Sequence, residues 1–96
     1  MLTMPWNVNF SKKAAKQHEK MPKAIQAAVA LLMTEMRVSG PVRGNWSNYS
    51  KLTGGRHHCH LKKGNPSYVA VWETSSKGSI ELIEVTYVGT HEKAPY

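Results

Sequence analysis

The residues best suited to chemistry are concentrated in one run, Gly55-Arg56-His57-His58-Cys59-His60-Leu61-Lys62-Lys63. On a strand, successive side chains point to opposite faces. Arg56, His58, His60 and Lys62 therefore share one face, and His57, Cys59, Leu61 and Lys63 share the other. Cys59 and Leu61 form the expected core pair, which leaves the first set as a cationic stripe suited to an anionic substrate. An imidazole has a reference pKa of about 6.5, so it can take or give a proton near neutrality. Lys and Arg supply the fixed positive charge that an increasingly negative transition state requires. A second histidine, His91, follows the last strand pattern. Together these groups match cleavage of an RNA phosphodiester: a proton leaves the 2′-hydroxyl, a phosphorane is stabilised, and the departing 5′-oxygen is protonated. The bland counterpart is a solvated sheet face carrying incidental histidines.

Other chemistries fit less well. His58-x-His60 is a metal-ligand spacing, but a zinc site needs three or four ligands. The third would have to be His91, or Cys59 from the opposite face, and Arg56 and Lys62 repel a dication. No metal or cofactor is therefore expected. A nucleophilic Cys59 is disfavoured because the residue is expected to be buried, where thiols are inert.

The elements that must position these groups are legible from periodicity. Trp6 to Phe10 alternates apolar and polar residues, as a strand with one buried face does. Ser11 stands where a helix N-cap belongs, ahead of a short helix over Lys12–Met21. Pro22 breaks that pattern and suits the first turn of a second helix. Ile25, Ala28, Val29, Leu32 and Met36 recur at helical spacing through Val38, and Gly40-Pro41 ends the segment. Beyond Pro41 the chain reads as β structure. Strands are expected over Trp46–Leu52, closed by Gly54-Gly55, and over Arg56–Lys62, followed by the turn signal Gly64-Asn65-Pro66. Tyr68–Trp72 is apolar on both faces and reads as a central strand. Ser75-Ser76-Lys77-Gly78 reads as a hairpin turn, and Ile80–Val88 as the last strand. The expected fold is α+β, in the order β-α-α-β-β-β-β, with two N-terminal helices on one face of a mostly antiparallel twisted sheet. That order brings the ends of the second and fourth C-terminal strands to one edge of the sheet. One strand separates them, so their axes lie about 10 Å apart. Gly89 is expected to let the tail fold back and carry His91 toward His60.

Length and charge narrow the function classes. The 96 residues make one domain spanning 1–96, with no repeat, low-complexity tract or linker. The longest apolar run is Ala27–Met33, far short of the roughly 20 residues that cross a bilayer. The first ten residues lack the pattern of a secretion signal. A membrane or exported protein is thus not expected, and the single Cys59 fits a reducing cytoplasm. Lys and Arg number 13 against 6 Asp and Glu, a net charge of +7. Residues 1–63 hold 11 basic and 2 acidic side chains; residues 64–96 hold 2 and 4. Such a balance points to a polyanion or an acidic protein as partner. Lys12, Lys13, Lys16, Lys20 and Lys23 form either a solvated helix face or a grip for RNA or an acidic segment. Trp46 and Trp72 are read as core or hinge aromatics. His18 is read as an exposed, incidental residue.

The run Gly44-Asn45-Trp46, Arg56, Cys59-His60-Leu61, Val69-Ala70-Val71-Trp72, Glu84 and Gly89-Thr90-His91, in a basic chain of this length and order, resembles the RelE/ParE superfamily of bacterial toxins. It is most similar to the YafQ-like messenger-RNA interferases. The likeness covers nearly the whole chain, most specifically Gly44 to His91, and rests on the order and spacing of short motifs. It implies the toxin of a type II toxin–antitoxin pair: a metal-independent, ribosome-dependent endoribonuclease that halts translation in the cytoplasm. Its implied partners are a cognate antitoxin and messenger RNA on the ribosome, with contacts to 16S ribosomal RNA. By position, His60 matches the family's strand histidine and His91 the histidine of its Gly-Thr-His tail, the acid and base in unassigned order. Tyr96 resembles the terminal aromatic that contacts the nucleotide, shifted by one position. The chain departs from the pattern at Gly64, where the family has an acid, and at Gly40, where it has a histidine. The transition-state charge would then fall to Arg56, His58, Lys62 or Lys63. The same fold serves ParE-like inhibitors of DNA gyrase, and a non-catalytic nucleic-acid-binding relative is a third possibility.

Overall fold

The computed structural model describes residues 5–62, 66–77 and 80–96. Its elements run β1 (Trp6–Phe10), α1 (Lys12–Glu19), α2 (Lys23–Ser39), β2 (Ser47–Lys51), β3 (Arg56–Lys62), β4 (Tyr68–Lys77) and β5 (Ile80–Thr90). The Ser11 hydroxyl accepts a hydrogen bond from Ala14 N at 3.1 Å, capping α1 as its residue type predicts. Pro22 sits at the N-cap of α2 rather than inside its first turn, and Gly40 caps the other end. The apolar stripe of α2 is buried at Ile25, Val29, Leu32, Met33 and Met36.

The five strands form one sheet in the order β1-β5-β4-β3-β2. β1 lies parallel to β5, while the other three pairings are antiparallel, so the sheet is mixed. β4 sits between β3 and β5, as expected for its two apolar faces. Ala70 and Trp72 join the helix-side core with Cys59, Ile83, Val85 and Val88, and Val69 and Val71 pack with Tyr87 on the other side. Trp72 is fully buried and its indole N–H donates to Pro41 O at 3.0 Å.

The connection from α2 to β2 is pinned by Glu35. One carboxylate oxygen accepts from Asn45 Nδ2 at 2.9 Å, Trp46 Nε1 at 2.9 Å and Arg43 Nη1 at 3.2 Å. These bonds, that from Asn45 foremost, hold the Glu35 carboxyl below its ordinary pKa. The Gly44-Asn45-Trp46 motif thus has a structural task, tying the loop to the helix. Between β2 and β3, a short 3-10 turn at Thr53–Gly55 places Gly54 and Gly55 at φ of 75° and 73°, a region that favours glycine.

Three local expectations change. Ser75–Lys77 continue β4 instead of turning, and Gly78 and Gly64-Asn65 lie outside the described residues. β5 runs on to Thr90. His18 is half-buried, its ring packed on Phe10 with centroids 4.9 Å apart.

Candidate active site

Both helices cover the same face of the sheet, so the opposite face is open, and the histidine stripe lies on it. Register sets the rows across β3, β4 and β5. His58 faces Val71, which faces Tyr87; His60 faces Val69, which faces Gly89. His91 follows two residues after Gly89, at the start of a 3-10 turn over His91–Lys93 that reverses the chain. His91 N donates to Ser67 O at 2.9 Å, anchoring the turn beside β4.

The tail then crosses the open face. Ala94 and Leu52 pack on Val69, Val71 and Tyr87, and Arg56 Nη1 reaches Pro95 O at 3.4 Å. Tyr96 arrives over His58, with ring centroids 4.5 Å apart and the planes tilted by 48°. Four rings result: His60 to His91 is 5.3 Å, His58 to His60 is 6.1 Å, and His91 to Tyr96 is 6.0 Å. His91 and Tyr96 are exposed, His60 is half-buried, and His58 is buried with Nδ1 3.0 Å from Ser50 Oγ. The two imidazoles singled out from sequence, 31 positions apart, therefore meet.

Gly89 acts by close approach. The Tyr87 phenol lies across it and donates to Thr90 O at 2.7 Å. A β-carbon at Gly89 would stand 2.6 Å from that phenol oxygen, so any side chain there would displace the ring beneath the tail. Chain reversal is achieved two residues later, by the 3-10 turn.

The other residues are placed as follows. Arg56 lies on the open face at the far end of the stripe, with Nε donating to Thr53 O at 3.1 Å. Lys62 leaves the stripe. The pairing moves from His60↔Val69 to Lys62↔Tyr68, so a bulge at Leu61 breaks the alternation and sets Lys62 opposite a helix-side residue. Lys63 lies outside the described residues. His57 points to the helix side, where its ring stacks on Trp72 at 5.8 Å and 4° and Nδ1 lies 2.7 Å from Tyr49 Oη. Burial pushes the Cys59 thiol up to about 12, so it is protonated and unreactive at neutral pH. Among the described residues no three His, Cys, Asp or Glu side chains converge in a way that could hold a metal ion. Ser50 and Ser67 escaped the sequence reading: each is a small polar residue near a strand end, and only register shows that it touches a histidine.

Burial lowers the pKa of both His57 and His58, helped by the charge of Lys51 at the first and of His91 at the second. The unfolded chain therefore binds more protons than the native state once the pH falls below the ordinary value of 6.5. As far as these two rings decide it, stability is full above that pH, falls as the unfolded imidazoles charge, and levels off below the folded pKa values. Urea midpoints compared at about pH 7.5 and about pH 5.5 should drop at the lower pH, and His58→Gln should shrink the drop. An equal drop in the variant would remove His58 from the effect.

The architecture has solved counterparts. The chain superposes on the YoeB/ParE toxin from Agrobacterium tumefaciens with a TM-score of 0.70 over 88% of its own length and 98% of that chain, at 14% identity. The fold is RelE-like. A chain of the archaeal RelE–RelB complex from Pyrococcus horikoshii OT3 aligns over 95% of this protein and 100% of its own length, with a TM-score of 0.60 and 14% identity. No protein-family model and no curated protein sequence matches the chain. In this RelE-like protein the helices back the sheet and the histidine cluster occupies its free face. No helix among the described residues is long and apolar enough to cross a membrane.

A groove of about 400 Å³ lies where α1 meets the end of β5. Lys13 and Gln17 line one wall, and Gly89, Thr90 and Lys93 the other. Its charged lining residues are both cationic, and it opens beside the backbone that carries His91.

Proposed function

We propose that the chain is the toxin of a type II toxin–antitoxin pair, and that it cleaves messenger RNA on the ribosome by general acid–base catalysis. The observation that carries this reading is the 5.3 Å approach of His60 and His91 on the open face of a basic sheet. One imidazole takes the proton of the 2′-hydroxyl, whose oxygen attacks the adjacent phosphorus. The other protonates the 5′-oxygen as the P–O bond breaks, leaving a 2′,3′-cyclic phosphate and a free 5′-hydroxyl. Both transfers use groups able to hold or release a proton near neutrality, and no step calls for a metal. Tyr96, which is exposed above His58, offers a ring face on which a base can stack. The groove between Lys13 and Lys93 gives a neighbouring phosphate a cationic seat, and the α1 lysines extend the charge toward 16S ribosomal RNA. The likeness to a chain solved as a RelE–RelB complex supports an antitoxin as the protein partner. The YafQ-like subgroup fits the tail motif Gly89-Thr90-His91 and Tyr96.

The fold is shared with ParE, whose likeness is in the solved YoeB/ParE toxin, so the deciding experiment compares the two targets. In a purified translation system the protein should stop synthesis and produce new messenger ends, mapped by primer extension, only when ribosomes are present. Gyrase supercoiling in a parallel reaction should be unaffected. Loss of supercoiling with intact messenger would replace the ribonuclease by a gyrase inhibitor. Inactivity in both assays would leave a nucleic-acid-binding relative.

A further inference from the structure

The hydrogen bonds around Ser67 distinguish the two catalytic imidazoles. Ser67 Oγ lies 3.3 Å from Lys62 O and 3.2 Å from His60 Nδ1. A serine hydroxyl has one proton to donate, and a carbonyl oxygen can only accept. Lys62 ends β3 just past the bulge, where the ladder is irregular, and the Ser67 hydroxyl donates to its carbonyl. With the hydroxyl proton committed to Lys62 O, the remaining contact is satisfied only if His60 Nδ1 carries a proton and donates it to Ser67 Oγ. The neutral ring is then unprotonated at Nε2.

We infer that Ser67 is a positioning residue that holds His60 as the Nδ1–H tautomer, making Nε2 of His60 the general base and His91 the general acid. Resting on the ribonuclease reading for its roles but not for its tautomer, this assigns the direction of proton flow. Nε2 of His60 takes the 2′-hydroxyl proton, giving an imidazolium that still donates from Nδ1 to Ser67. His91 enters protonated and gives its proton to the 5′-oxygen. The pair ends with the proton moved from His91 to His60, and solvent resets both rings. Ser67 is suited to couple the two residues, because its carbonyl also accepts the backbone N–H of His91 at 2.9 Å. One residue thus touches the base through its side chain and anchors the acid's backbone through its main chain. The tautomer matters because a histidine side chain in water favours Nε2–H, in which the atom needed as base is already protonated. Which nitrogen carries the proton is set by the hydrogen bond that the other makes.

Nitrogen NMR of the chain labelled at histidine, made by cell-free synthesis and observed at a pH where imidazoles are neutral, reads the tautomer without reference to activity. Wild-type His60 should give the Nδ1–H pattern, and Ser67→Ala should shift it toward Nε2–H. Ser67→Thr, which keeps the hydroxyl, should restore it. Cleavage should fall on the order of tenfold in Ser67→Ala and recover in Ser67→Thr, a part of the roughly 10²–10⁴-fold that such a base contributes. Nε2–H in the wild type would overturn the proposal, as would an unchanged Nδ1–H pattern in Ser67→Ala. If the tautomer follows Ser67 but no variant, nor the wild type, cleaves RNA, the positioning stands and the ribonuclease reading fails.

Discussion

Alanine at His60 or at His91 should lower ribosome-dependent messenger cleavage by on the order of 10²–10⁴-fold, the usual contribution of a positioned acid or base. Neither change should unfold the protein. His91 is exposed and His60 half-buried, and neither belongs to the helix-side core. Substitutions at such positions shift stability by about 1 kcal/mol or less. The double variant should be little worse than either single one, because two groups acting in one transition state are not additive. Primer extension on ribosome-bound messenger gives the rate, and circular dichroism with urea denaturation reports the fold. Cleavage at wild-type rate in both folded single variants would show that the meeting of these rings is incidental. His58→Ala is the sharper comparison within the cluster. Its ring is covered by Tyr96 and bonded to Ser50, so its removal perturbs packing beneath the tail rather than a proton transfer.

The largest stability loss is expected from Trp72→Ala, about 3–5 kcal/mol. Trp72 is the largest of the fully buried side chains, in the strand between β3, which carries His60, and β5, which leads into His91. Deleting it removes the ring on which His57 and Tyr49 stack, at 5.8 and 6.1 Å, and the donor to Pro41 O. A domain of this size has about 5–15 kcal/mol in total, so the variant should be marginal at physiological temperature. The urea midpoint should fall with an unchanged slope, the sign of lost native packing rather than altered unfolded chain. Trp72→Phe, which keeps an aromatic face but not the indole N–H, should lose less. A fall below about 1 kcal/mol in Trp72→Ala would mean that the core recloses around the cavity. Any loss of cleavage in this variant would follow from the spacing of β3 and β5, not from the chemistry.

The order of elements was legible because each rests on a local period. The 3.6-residue stripe of α2 and the two-residue alternation of Arg56–His60 depend only on near neighbours. The same alternation placed His57 and Cys59 inside and His58 and His60 outside, and all four lie there. The Ser-Ser-Lys stretch at 75–77 misled because polar composition was taken for a turn. Ser75 is exposed and the ladder to β5 continues through Lys77, so polar residues extend the strand instead of ending it. Lys62 was misplaced by one extra residue. A bulge has no compositional signature, yet it moves every later side chain to the other face. A second irregularity between Val71 and Trp72 sets the phase of β5, so that Tyr87 and Gly89 share the open face while Val85 and Val88 remain in the core.

From residues alone came the helix pair, the β3 boundaries, the basic balance and the identity of the two histidines as candidates. Tertiary structure decided the parallel seat of β1 beside β5, the crossing of the tail and the approach of His91 to His60. It also decided the contact of Ser67 with His60. The division has one physical origin. Patterning within a segment is set by which face must leave water, whereas pairing between distant segments depends on register, and no short stretch of sequence contains its partner's position.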